Sequence, residues 1–172
     1  IREKGTNRSK FHRGQVDKYT WVDIGSSYLP SELNAAYLYA QLEMAEEINE
    51  NRLATWNKYY HGLKPLQEKG LLALPYMPEE CQHNAHMFYV KAKDLDERTR
   101  LIQYLKDNGV TSVFHYIPLH SSPAGKTMGC FHGKDYYTTQ ESARLLRLPM
   151  YYGISTSSVD HISSSIEGFF ND

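Results

Sequence analysis

The 172 residues carry 41% hydrophobic and 23% charged side chains and a formal net charge of −1. That length is enough for one domain with a real core and marginal for two. The near-neutral charge leaves no electrostatic footprint for nucleic acid or an anionic membrane, and no apolar run reaches bilayer length. Two cysteines, Cys81 and Cys130, imply no disulfide framework and read as reduced thiols of a cytoplasmic protein. The start Ile1-Arg2-Glu3-Lys4-Gly5 has neither an initiator methionine nor a signal-peptide pattern, and reads as a processed or truncated chain.

Residues 1–30 show no clean period. Arg2, Lys4, Arg8, Lys10, Arg13 and Lys18 crowd this arm, interleaved with Gly5, Gly14, Phe11 and Tyr19. It is either an anion-receiving loop or a solvated arm. After Pro30, Ser31 caps a helical pattern with Glu32 in its first turn. Leu33, Ala36, Tyr37, Ala40 and Met44, then Ile48, Leu53, Trp56, Tyr60 and Leu63, carry the pattern towards Gly70. Its length predicts two helices or one bent helix over 31–70, with an offset near Glu50.

Leu71 to Pro78 reads as extended. Met87-Phe88-Tyr89-Val90 predicts a strand with Lys91 and Lys93 at its exit. A helix capped by Asp94 or Asp96 follows, carries Leu101, Ile102 and Leu105, and stops at Gly109. Val110 to Tyr116 predicts a second strand, which makes a compact α/β unit. Residues 117–137, with Pro118, Pro123, Gly125, Gly129 and Gly133, read as a long irregular loop. Thr138 and Glu141 have capping-box spacing before a helix bearing Ala143, Leu145 and Leu146, which Leu148-Pro149-Met150 ends. Ser157 or Ser158 caps a last helix with Val159, Ile162, Ile166, Phe169 and Phe170 on its apolar side. The predicted fold class is α/β (α+β): a few strands, at least one antiparallel, covered by helices, with a long helix leading in.

Eight histidines invite a metal reading, but neither His83 with His86 nor His115, His120 and His132 come with acidic or cysteine ligands at a recognisable spacing. No metal site is predicted, and His12, His61 and His161 read as hydrogen-bonded edge residues. No nucleophilic triad and no glycine-rich phosphate loop is present. Phe114-His115-Tyr116-Ile117-Pro118-Leu119-His120 is more informative. It sets two imidazoles and a phenol where a strand enters a proline-restricted loop, a usual place for binding groups. A plain surface loop is the competing reading.

The run Gly25-Ser26-Ser27-Tyr28-Leu29-Pro30-Ser31-Glu32-Leu33-Asn34-Ala35-Ala36-Tyr37 with Gln41-Leu42-Glu43, the opening Gly5-Thr6-Asn7-Arg8, and His115-Tyr116-Ile117-Pro118-Leu119-His120 occur in this order. Together they resemble the DegT/DnrJ/EryC1/StrS family of sugar-nucleotide aminotransferases from residue 1 to the C-terminus. Gly14-Gln15-Val16-Asp17-Lys18-Tyr19-Thr20-Trp21 is similar to the subgroup that makes dTDP-4-amino-4,6-dideoxygalactose.

The resemblance implies the C-terminal small domain of a fold type I enzyme dependent on pyridoxal 5′-phosphate. Residues 1–30 would be a remnant of the large domain, 31–70 a linking helix or helix pair, and 71–172 the small domain. It implies a homodimer with shared active sites, with glutamate and a dTDP-4-keto-6-deoxy-hexose as substrates. The Schiff-base lysine is expected upstream of Ile1, so no catalytic residue is assigned and the chain alone is expected to be inactive, with no covalently bound cofactor. The position matching Ser27 contacts the cofactor phosphate in relatives, usually as asparagine; serine would make a weaker contact. Leu29 stands where many relatives have arginine. His115, Tyr116 and His120 would line the sugar end of the site, and Arg13, Lys18 and Tyr19 would face the partner's substrate channel. A dehydratase on the same fold, and a non-catalytic binding or structural module, are the alternatives.

Overall fold

The computed structural model describes residues 5–25 and 30–171. The elements are α1 (Arg8–His12), α2 (Glu32–Glu43), α3 (Ala45–Glu68), β1 (Phe88–Lys91), α4 (Leu95–Asp107), β2 (Val113–Phe114), a 3-10 turn (Leu119–Ser121), α5 (Pro123–Met128), α6 (Thr138–Arg144), β3 (Leu145–Leu148) and α7 (Thr156–Asn171). They fall into two compact units, Ile1–Ala45 and Glu46–Asp172. This is a mixed fold in which helices dominate and the sheet is small. No helix among the described residues is long and apolar enough to cross a membrane.

In the first unit the basic arm closes on itself. Thr6 bridges Trp21, and the Asn7 side chain accepts the Thr20 N–H at 2.8 Å. Gly5, at φ +75°, accepts the amides of Val22 and Asp23 through its carbonyl. A Cβ there would lie 2.1 Å from the Asp23 carbonyl oxygen, so only glycine fits. Ser31 caps α2 as predicted, its hydroxyl accepting the Asn34 N–H. Leu33, Tyr37, Leu38, Tyr39 and Leu42 of α2 are all exposed. The predicted pair of helices is present, but the break falls at Met44 rather than near Glu50: φ −104° and ψ 7° there leave the helical path, and the Met44 amide turns back to Gln41 and Leu42.

The second unit is built on a three-stranded sheet of order β1-β3-β2 with both pairings antiparallel. Phe88, Val90, Leu146 and Leu148 share one face, by the registers Phe88↔Leu148 and Val90↔Leu146. They join Tyr59 and Leu63 of α3, Leu101 and Leu105 of α4, and Val159, Ile162 and Ile166 of α7 in one core. The phenol of fully buried Tyr59 donates to the Pro149 carbonyl at 2.8 Å, and burial pushes its pKa up. Asp94 caps α4, and Gly109 at φ +76° follows it while the Val110 amide returns to Leu105.

Four expectations give way to the structure. The first strand runs one residue later than predicted and includes Lys91, which pairs with Glu141 at 2.8 Å. The second keeps only Val113 and Phe114 of Val110–Tyr116, because β3 offers it only Arg147 and Leu146 as partners. The helix predicted to carry Leu145 and Leu146 ends at Arg144, and Leu145–Leu148 is the central strand. Leucine and arginine favour helix, but pairing to strands on both sides and the extended backbone demanded before Pro149 prevail. Finally, α7 is capped by Ser155, whose hydroxyl accepts the Ser158 amide, rather than by Ser157 or Ser158.

Leu146 is fully buried in the central strand. Leu146→Ala is therefore expected to cost about 2–5 kcal/mol, read from chemical denaturation of the chain. A loss well below 1 kcal/mol would place Leu146 outside the core.

Candidate functional site

The His115–His120 segment leaves β2 and is shaped by its own backbone. Pro118, at φ −59° and ψ 137°, is extended and leads into the 3-10 turn. The Ser122 hydroxyl donates to the Leu119 carbonyl at 2.7 Å and accepts the Gly125 N–H at 3.0 Å, which starts α5. A Cβ on Gly125 would sit 1.7 Å from the Leu119 carbonyl oxygen, so the turn and α5 can lie this close only with glycine. The stretch 117–137 thus contains a 3-10 turn and a short helix where an irregular loop was expected.

His120 is held on several sides. Its Nε2 lies 3.0 Å from Asp135 Oδ2 and 3.3 Å from Thr139 Oγ1, and its ring packs 4.4 Å from that of Phe131. Asp135 also accepts the amides of Thr138 and Thr139, at 2.9 and 3.1 Å, and the Thr139 hydroxyl. Those bonds do the capping expected of a Thr138–Glu141 box; Glu141 instead pairs with Lys91 and Arg144. The Thr139 hydroxyl first, its amide and that of Thr138, and His120 hold the Asp135 carboxyl below its ordinary range. One carboxylate thereby ties the 3-10 turn to the start of α6.

His115 is half-buried, and its Nδ1 is buried with no hydrogen-bond partner. A buried imidazole nitrogen left unpaired is costly. Its ring lies 4.2 Å from that of Tyr116. Tyr116 is 63% exposed, so it does not pack inward. Tyr116, Ile117 and Pro118, with Leu95, Arg98 and Phe114, border an apolar cavity of about 320 Å³. Arg98 donates to the Ser142 carbonyl at 3.1 Å and lies over the Phe114 ring; burial lowers its pKa.

The structure brings His115 and Tyr116 together, and sets His120 in its own polar cluster. Arg13, Lys18 and Tyr19 lie on the first unit and are all exposed. Arg13 donates to the Ser9 carbonyl at 3.2 Å, and Tyr19 packs against Phe11 beneath the Arg8 guanidinium. Ser27 and Leu29 lie outside the described residues. His12, His61 and His161 each make a hydrogen bond, to Arg8, the Asn57 carbonyl and the Asn108 carbonyl. Among the described residues no three metal-ligating side chains converge, and Cys81 and Cys130 are exposed thiols.

A profile of the DegT/DnrJ/EryC1/StrS aminotransferase family matches residues 1–167. The chain belongs to this family. Solved structures agree on the fold. The aminotransferase TlmJ from Streptoalloteichus hindustanus superposes with a TM-score of 0.78 at 20% identity, over 98% of this chain and 42% of that one. A DegT DnrJ EryC1 StrS aminotransferase from Brucella abortus gives 0.72 at 25% identity, over 96% and 43%. Helicobacter pylori PseC, an aminotransferase involved in the biosynthesis of pseudoaminic acid, gives 0.79 at 16% identity, over 99% and 44%. The chain thus spans about two-fifths of the length of these relatives.

Spr1654 from Streptococcus pneumoniae, 20% identical to this chain, has been solved in a PLP form and a PMP form. The donor set on this loop, an unpaired imidazole nitrogen beside a phenol, suits the oxygen atoms of a bound group. No lysine lines the adjoining cavity to hold an aldehyde cofactor covalently.

Sequence reasoning passed over Asp135 and Thr139. The available signal was an aspartate three residues before Thr138 at a helix start. Because the Asp135 pKa is lowered on folding, its stabilisation is present above the unfolded carboxylate value of about 4 and is lost as pH falls through the lower folded value. Asp135→Asn is expected to lower the Tm by a few degrees at pH 7, with the gap to wild type narrowing as the pH falls below the ordinary carboxylate value of about 4. A gap unchanged across that range would show that the carboxylate's charge has no part in the cluster.

Proposed function

We propose that this chain is the C-terminal part of a pyridoxal-phosphate-dependent aminotransferase that moves an amino group from glutamate to the 4-keto carbon of a dTDP-4-keto-6-deoxy-hexose. Residues 1–30 are assigned to the edge of the large domain, 31–70 to the linking helices and 71–172 to the small domain. The family match over residues 1–167 carries the reading. The buried, unpaired Nδ1 of His115 supports a ligand-facing role for the loop.

The cofactor supplies an electron sink for proton removal at the carbon bearing nitrogen. This chain's share is positioning. His115 would hold a sugar hydroxyl or the keto oxygen through Nδ1. Tyr116 would offer its phenol beside it. His120, its Nε2 engaged by Asp135 and Thr139, would keep Nδ1 for the substrate. Arg13 and Lys18 carry charge suited to a pyrophosphate, with Tyr19 beside them. Ser27 would contact the cofactor phosphate. In the homodimer assigned here, active sites are shared, and the exposed Leu33, Tyr37 and Leu42 of α2 would be covered by the rest of the assembly. The reading places the enzyme in the cytoplasm and the cofactor-bearing lysine upstream of Ile1, so the 172-residue chain would transfer no amino group by itself.

The test uses the complete protein with glutamate and a dTDP-4-keto-6-deoxy-hexose. Wild type should form the amino sugar, and His115→Ala should lower kcat/KM by roughly tenfold, the loss of one hydrogen bond to the substrate. A complete protein that forms no amino sugar would falsify the assignment of activity. Full kcat/KM in His115→Ala with a reduced Tm would make the loop structural.

A further inference from the structure

The sheet face turned away from the core carries Tyr89, Lys91, Leu145 and Arg147. Arg147 stands opposite Tyr89 of β1 and Val113 of β2. Where β3 ends and β1 begins, a cavity of about 420 Å³ opens beside Arg147. Arg52, His86, Thr111 and Arg147 contribute its polar lining; Met87 and Met150 are among its apolar residues, and no carboxylate lines it.

Both arginines lack an acidic partner among the described residues. Arg52 is fixed by backbone alone: Nε donates to the Ala85 carbonyl at 3.1 Å, and a terminal nitrogen donates to the His86 carbonyl. Those bonds clamp a turn in which Ala85 has φ +49°, a conformation that L residues rarely adopt and one that clusters at ligand sites. A guanidinium has five N–H donors, so Arg52 keeps several for a ligand. Arg147 is the sharper case. Its Nε is buried without a partner, and its guanidinium lies 5.8 Å over the Tyr116 ring. A half-buried guanidinium with no acidic partner is unfavourable, and a charge-assisted bond from its terminal N–H groups to an anion in the cavity offsets that cost.

We infer that this cavity is a binding site for a small organic anion, held through a carboxylate or phosphate group. Arg147 is the principal donor and Arg52 the second, preorganised cation. The Thr111 hydroxyl and the His86 imidazole add donors, and Met87 and Met150 pack on the ligand's hydrocarbon part. The inference stands on this geometry alone and holds whether or not the complete protein transfers amino groups.

The chain is titrated with succinate and, separately, with inorganic phosphate, by calorimetry and by NMR of backbone amides and arginine Nε–H groups. Saturable binding of at least one anion is expected, with shifts at Arg147, Arg52 and Thr111. Tighter binding of succinate assigns a carboxylate ligand; tighter binding of phosphate assigns a phosphate ligand. Arg147→Gln should weaken the tighter anion by roughly tenfold or more, the loss of a charge-assisted bond, and Arg147→Lys, which keeps the charge without the planar fork, by less. Melting curves establish that each variant is folded, and Arg147→Lys carries the comparison if Arg147→Gln is not. No saturable binding of either anion, or wild-type affinity in a folded Arg147 variant, overturns the inference.

Discussion

The pairing of Leu145–Leu148 with a strand on each side is the constraint on which the second unit depends. Among the described residues this four-residue strand is the one strand paired with β1 and with β2, and β1 adds only a bridge from Lys91 to Ala73. Alternation along it does two jobs at once. Leu146 and Leu148 point into the core against α3, α4 and α7, and Leu145 and Arg147 point to the opposite face. A one-residue slip would bury Arg147 and expose Leu146, so the apolar core and the polar face are fixed by one register.

The same strand links the two proposed ligand sites. Arg147 lies over Tyr116, the neighbour of His115, while it also lines the cavity with Arg52. At the other end, Arg144 donates to the Ala92 carbonyl and Glu141 pairs with Lys91, so α6 is anchored to β1 just before the chain enters β3. Asp135 then ties α6 back to His120. The loop after β2 is thus held through short polar contacts to α6, not through burial in the core. Its positioning is therefore sensitive to charge state, whereas the strand's is set by packing.

What the sequence made legible follows this division. Periodic apolar residues over a dozen positions identified α4 and α7, and the stop at Gly109 and a cap at Asp94 or Asp96, of which Asp94 is the one used, were readable because local chemistry decides them. Leu145–Leu148 was not, because four residues of helix-forming type cannot announce a strand whose partners lie about thirty and sixty residues upstream. The arginine alternating with buried leucines before Pro149 was the clue to both the strand and the cavity. For the site, the segment His115–His120 stood out by residue type, but its division of labour did not. That His115 would be left with an unpaired nitrogen while His120 would be bound to Asp135 depends on contacts across the 3-10 turn and α6. Arg52 gave no signal at all, since its role arises from a turn more than thirty residues away in the chain.

Amide hydrogen exchange of the chain under native conditions tests the place of β3 most directly. As the central strand, paired on both edges and backed by the core, Leu145 to Leu148 should fall among the slowest-exchanging amides, together with the buried turns of α4 and α7. The amides of α6 and of the turn Leu119–Ser121 should exchange faster. If Leu145–Leu148 exchanged as fast as α6, the strand would not organise the sheet, and the shared origin of the core and the polar face would be contradicted.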